Sequence, residues 1–288
     1  MKENLRKNSG EILKFCDYLK GEEKSKATIE KYERDVRKFL GFLEIPGETT
    51  NQISKDVVLD YKEMLVSEYE PSSVNSMLAA LNQYLSFIGK EECKVKQMKI
   101  QRKAFLEEDK CLTIEEARKL ISVAGQIGNR RLKVIIETLC DTGIRVSELA
   151  FFTVKRIKSG TIKIHNKGKM RVIALTDSLR AKLLHYAKEN KIKGGLIFIT
   201  KAGKIMDRSN LWREIKALCA KAGVIMKKGF PHNFRRLFAR NYYSVEKDIV
   251  SLADIMGHSK IETTRLYTII TYREFVGKLR KVESVSEK

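Results

Sequence analysis

PHNFRRLFARNY, residues 231–242, sets one of only four histidines directly after a proline and three residues ahead of an arginine. Positions i and i+3 lie on one helix face, and proline suits a first helical turn because the N–H it lacks would find no partner there anyway. His232 and Arg235 are therefore expected to leave the start of a helix in the same direction. A basic pair on one face is either solvated surface or half of a clamp for a phosphate, and the rest of the sequence decides between them.

Length and charge narrow the choice. At 288 residues the chain can form two domains that each bury a core, and an apolar content of 43% fits a globular protein. There is no uninterrupted apolar run of roughly 18 residues and no signal-like N-terminus, so the expectation is a cytoplasmic protein without a membrane partner. Cys16, Cys93, Cys111, Cys140 and Cys219 form no CxxC pair, which argues against a zinc site or a disulfide framework. The net charge of +21 is unevenly placed: residues 1–105 carry 19 Lys and Arg against 17 Asp and Glu, residues 106–288 carry 38 against 19. Such a field attracts polyanions, nucleic acid above all, but names no chemistry.

Periodicity gives the architecture. EILKFCDYLKG, ATIEKYERDVRKFLGFLE, SKDVVLDYKEMLVSEYE and SSVNSMLAALNQYLSFIGK repeat apolar residues at three- and four-residue spacing, with Thr28, Ser54 and Ser72 near their N-terminal ends, so residues 1–89 read as a four-helix domain. EECKVKQMKIQRKAF loses the pattern and reads as a basic linker over 90–105. Helices resume after Leu112, one ending at Gly143. TIKIHNKGKMRVIAL then alternates as a β-hairpin, with Asn166 and Gly168 in its turn, before five more helical segments. The expected fold is mainly α with a small antiparallel β-sheet, its second domain spanning 106–288.

Two further segments accompany PHNFRR. DTGIRVSEL places Arg145 just past a helix-ending glycine, and GHSKIETTRLY places His258 at a helix start with Tyr267 nine residues on. An arginine turn, a hairpin lysine, HxxR and GHxxxxxxxxY, in that order, resemble the tyrosine recombinases of the lambda-integrase and Cre family, most closely the short two-domain Xer-like members. The match covers about residues 112–272 by motif and the first, core-binding (SAM-like) domain in outline.

The resemblance implies metal-free DNA strand cleavage without a cofactor. Arg145 and Arg235 would grip the phosphate oxygens with planar forks, Tyr267 would attack phosphorus to give a 3′-phosphotyrosine, His232 would serve as base or hydrogen-bond partner, and His258 would donate to the phosphate. Glu148 matches the acid that buttresses the first arginine. The family's hairpin turn reads GKGxKxR, whereas HNKGKMR is one residue shorter. Lys167 aligns as general acid when anchored on Lys-Gly, and Lys169 is its rival when anchored on Arg171. Also implied are a double-stranded DNA partner with an inverted-repeat site, a homotetramer on DNA, and a second recombinase or accessory protein as an optional partner. The tail after Tyr267, with Ile270, Phe275, Val276 and Leu279 at roughly helical spacing, reads either as a helix that docks on the next protomer or as one packed on its own domain.

Plainer readings stand beside these. Tyr267 could be a core aromatic on a helix with Ile261 and Leu266; Tyr242, Tyr243 and Tyr272 read as core or surface, and His165 and His185 as surface. Trp212 reads as a core anchor, while Lys227, Lys228, Arg236 and Arg240 read as DNA-backbone contacts or solvated charge. A non-catalytic accessory DNA-binding protein on the same fold is the alternative function. It is disfavoured because Arg145, His232, Arg235, His258 and Tyr267 all stand.

Overall fold

The computed structural model describes residues 2–43, 53–100, 105–166, 169–200 and 203–283, and the chain divides into two compact units, Met1–Arg102 and Lys103–Lys288. The first contains four helices, α1 (Lys2–Gly21), α2 (Lys26–Phe42), α3 (Lys55–Glu68) and α4 (Pro71–Phe87). Their apolar stripes meet in a core that includes Phe15, Phe39, Tyr61, Leu78 and Tyr84. Thr28, Ser54 and Ser72 all lie at N-terminal ends as expected: Ser54 caps α3, Thr28 is in the first turn of α2 behind its cap Ser25, and Ser72 follows Pro71 at the start of α4.

Residues 91–98 fall inside the stretch expected to be linker, yet they are strapped to α4. Asn82 donates to Val95 O at 2.8 Å and accepts from Val95 N at 3.0 Å; Asn75, two turns earlier, does the same for Met98 at 2.9 and 2.7 Å. Two asparagines on one face thus act as edge partners for an extended segment, and Cys93 and Val95 are buried with it.

In the second unit, Thr113 and Glu116 form a capping box at the start of α5 (Ile114–Gln126), which packs on α6 (Arg130–Thr142). After a 3-10 turn, Val146–Phe151, and the short α7 (Val154–Lys158) comes a two-stranded antiparallel sheet, β1 (Thr161–Asn166) and β2 (Lys169–Ala174), with Thr161 opposite Ala174 and Asn166 opposite Lys169. Ile162, Ile164 and Ile173 face the core while Met170 and Val172 are exposed, the alternation a one-sided sheet requires. Then follow α8 (Asp177–Glu189), α9 (Arg208–Ala222), α10 (Pro231–Glu246), α11 (Ile249–Met256), α12 (Ile261–Thr268) and α13 (Tyr272–Glu283). The fold is thus mainly helical with one small antiparallel sheet. Among the described residues no helix is long and apolar enough to cross a membrane.

Candidate active site

The end of α6 places the first arginine. Gly143 caps that helix at φ 60°, and a Cβ there would lie 2.2 Å from the Phe238 ring, so conformation and space both call for glycine. Two residues later Arg145 precedes the 3-10 turn. Glu148, 1% exposed, accepts from the Arg145 backbone N–H at 2.6 Å and from its Nη1 at 3.2 Å, fixing both ends of that residue.

Pro231 starts α10, and its first turn carries His232 and Arg235. Arg235 is 1% exposed. Its Nη1 donates to Gly143 O at 2.5 Å and its Nη2 to Met256 O at 2.6 Å, so the cation sits where the C-terminal ends of α6 and α11 present their negative poles. Its Nε–H has no partner among the described residues. Nη2 also lies 3.0 Å from Nε2 of His258, which follows the α11 cap Gly257. A guanidinium cannot accept, so Nε2 is the acceptor, and the ring's proton sits on Nδ1, which donates to Thr264 Oγ1 at 2.8 Å.

Tyr267 projects from α12 into this cluster. Its hydroxyl is 2.5 Å from His232 Nε2, and its ring centre is 5.8 Å from the Arg235 guanidinium and 5.1 Å from the His258 ring. The tyrosine is 8% exposed. Burial first, then Arg235, Arg236 and Arg145, lower the His232 pKa to about 4; burial, Arg235, Arg145 and Arg171 lower that of His258 to about 4. Both rings are neutral at pH 7. Burial, assisted by Arg145 and Arg171, lowers Arg235 to about 10, so it stays charged.

Residues 110–274 match the phage integrase family, and residues 12–92 match the phage integrase N-terminal SAM-like domain. The chain belongs to the phage integrase family. It is 30% identical over 290 residues to tyrosine recombinase XerA of Pyrococcus horikoshii, covering 96% of each chain. It is 28% identical over 274 residues to tyrosine recombinase XerD of Oceanobacillus iheyensis, covering 91% of this chain and 85% of that one. The fold resembles that of the XerH site-specific recombinase bound to palindromic difH substrate in a post-cleavage complex, with a TM-score of 0.72 at 20% identity over 90% of this chain and 80% of that one.

The integrase domain thus gathers Arg145, Glu148, His232, Arg235, His258 and Tyr267. Of the hairpin lysines, Lys167 lies outside the described residues, while Lys169 opens β2 opposite Asn166. Two side chains read from the sequence as DNA-backbone contacts or solvated charge are committed within the domain instead. Lys228 is buried against Glu116 at 2.8 Å, and Arg240 donates to Cys111 Sγ and Glu274. Lys227 is exposed, 3.7 Å from Asp109, and Arg236 is half-buried. Trp212 is a half-buried ridge and no core anchor: its ring meets Phe230 edge-on, with Lys216 Nζ 4.3 Å from its centre.

Sequence reasoning missed three residues. Thr264 orients His258. Arg208, 5.5 Å over Phe230, adds to the field that depresses His232. Arg171 donates from Nη2 to Glu148 Oε2 at 2.6 Å. The only advance signal was Arg171's place in the hairpin motif; the other two became visible when the elements met.

Proposed function

We propose that this integrase-family chain is a site-specific DNA recombinase that cuts and rejoins strands through a 3′-phosphotyrosine at Tyr267. The observation that carries the reading is the Tyr267 hydroxyl 2.5 Å from a neutral His232 Nε2, beside the buried cation of Arg235. With an unperturbed phenol pKa of about 10, a tyrosine needs a base at neutral pH, and the His232 tautomer protonated on Nδ1 offers one.

In the first step the Tyr267 oxygen bonds to phosphorus as its proton passes to His232. The phosphorus–O5′ bond breaks, and a hairpin lysine, Lys167 by preference over Lys169, protonates the leaving oxygen. Arg145 and the Arg235 Nε–H, which has no partner among the described residues, balance charge on the non-bridging oxygens, and Glu148 holds Arg145. His258, with its two ring nitrogens engaged by Arg235 and Thr264, aligns Arg235 rather than donating to the phosphate as expected. Reversal with a new 5′-hydroxyl rejoins the strand, because the phosphoryl bond energy is kept in the intermediate.

The partner in this reading is double-stranded DNA with an inverted-repeat site, on which four protomers exchange strands; the chain acts in the cytoplasm, with or without a second recombinase. The first unit, with the strap over 91–98, would grip the core of the site, the stretch after it would connect, and 106–288 would catalyse. Lys227 and Arg236 remain candidates for backbone contacts.

The test uses a nicked duplex carrying the inverted repeat that the chain selects from a random-sequence pool. Incubation in excess chelator without ATP is expected to trap a covalent adduct, and Tyr267→Phe to abolish it while leaving DNA binding intact. An adduct with the Phe variant would refute the assignment. Binding with no adduct from the native chain would favour an accessory protein.

A further inference from the structure

We propose that Arg171 is a positioning residue for the cleavage step: it fixes β2, a strand of the hairpin that carries the general acid, against the turn of Arg145 and the C-terminal end of α11. This rests on the reading above that a hairpin lysine is that acid. In the ladder Ile164 pairs with Arg171 and His165 with Met170. Ile164 is buried and the Arg171 side chain is 12% exposed, whereas His165 and Met170 face solvent. An apolar residue would ordinarily fill the level that Arg171 occupies; a cation there has to be explained by what it holds.

Its fork holds two other elements. Nη2 donates to Glu148 Oε2 at 2.6 Å, and Nη1 donates to Ile255 O in the last turn of α11, the negative end of that helix. One guanidinium therefore joins β2, the turn that positions Arg145, and the helix end that leads into His258. Gly257 is shaped around it: φ is 65°, and a Cβ would lie 2.7 Å from Arg171 Cδ.

The three elements do not depend on Arg171 equally. Without it, Glu148 still accepts twice from Arg145, and His258 still has Arg235, Thr264 and a backbone bond to Ala253 O at 2.9 Å. Among the described residues, Arg171 makes the hairpin's hydrogen bonds to the 3-10 turn and to α11; the hairpin's other attachments are the buried Ile162, Ile164 and Ile173 and a bond from Ser159 Oγ to Thr161 O at 3.4 Å at its base. Loss of Arg171 should therefore loosen the hairpin before it loosens the phosphate clamp, and so should resemble the loss of an acid.

A sulfur in place of the 5′ oxygen separates these effects, because the phosphorus–sulfur bond breaks to a thiolate that needs no proton. Single-turnover adduct formation would be measured with the full chain on matched duplexes, oxygen or sulfur at the mapped scissile position. Arg171→Met, which keeps the stem and removes the fork, and Arg171→Ala should slow the oxygen duplex by about 100-fold, the scale of a lost acid. Both should react with the sulfur duplex within about tenfold of the native chain, while Arg145→Ala is not rescued. Arg171→Lys, which keeps a cation for Ile255 O but not the fork, should fall between. Melting temperature and half-site binding monitor folding, and the Met and Lys variants carry the test if Ala unfolds. Sulfur rescue of a lysine variant but not of Arg171→Met would overturn the positioning role, as would native oxygen cleavage by Arg171→Met. Sulfur rescue of neither Lys167→Ala nor Lys169→Ala would overturn the hairpin acid and this inference with it.

Discussion

At His232 and His258, burial and arginines act in the same direction: both keep the ring neutral, and a neutral ring can accept a proton. The same depression ties folding to pH. An unfolded histidine titrates near 6.5 and these two near 4, so between those values the unfolded chain binds more protons than the folded one. Stability should therefore be complete above pH 6.5 and fall as pH drops towards 4. A series of thermal melts would show the acid-side fall, and His232→Gln with His258→Gln should flatten it; an unchanged slope in the double variant would contradict the burial of these rings. Binding a phosphodiester adds a negative charge among Arg145, Arg235 and the histidines. The acid limb of the cleavage rate in the DNA complex should accordingly lie above pH 4.

Gly143 joins elements that are distant in sequence: it ends α6, accepts from Arg235 on α10, and makes room for Phe238. Gly143→Ala combines a strained left-handed residue, about 1–2 kcal/mol, with overpacking, about 1–3 kcal/mol, so a loss of about 2–5 kcal/mol in denaturant melts is expected. Cleavage should fall more than DNA affinity, because the displaced ring lies one turn beyond Arg235. Local signals made this junction legible: a glycine at a helix end followed by an arginine, and a proline opening the helix of His232. What the sequence left unread lies in long-range pairing. Arg171 meets Glu148 across 23 residues and Ile255 across 84, and Lys228 meets Glu116 across 112, so no periodicity could announce them. The Asn75 and Asn82 strap escaped for a related reason: two polar residues on a helix read as solvent face until the backbone they hold is known.

For the whole molecule, the excess of charge over residues 106–288, 38 basic against 19 acidic, suits a catalytic domain that meets phosphates. Assembly requires something else, a surface offered to another protomer. α13 is placed for that. Its start is tied to its own domain, with the Tyr272 and Phe275 rings 5.4 and 5.2 Å from Phe105 and Glu274 held by Arg240. Yet Tyr272, Phe275 and Leu279 remain 63%, 37% and 44% exposed, more apolar surface than one short helix needs to leave in water. Packing on its own domain is thus partial, and a neighbouring protomer on DNA could cover the rest. Removing residues 273–288 should leave binding of one protomer to a half-site nearly unchanged, because Arg145, Arg235 and Tyr267 all precede the cut. Cooperative binding to the full site, read in gel shifts as the jump from one to two protomers, should collapse, and recombination with it. The Glu274 bond to Arg240 would be lost in the same truncation, so Glu274→Gln serves as its control: cooperative assembly by that variant and none by the truncated chain would assign the effect to the apolar face. Normal recombination by the truncated chain would move the assembly surface elsewhere in the molecule.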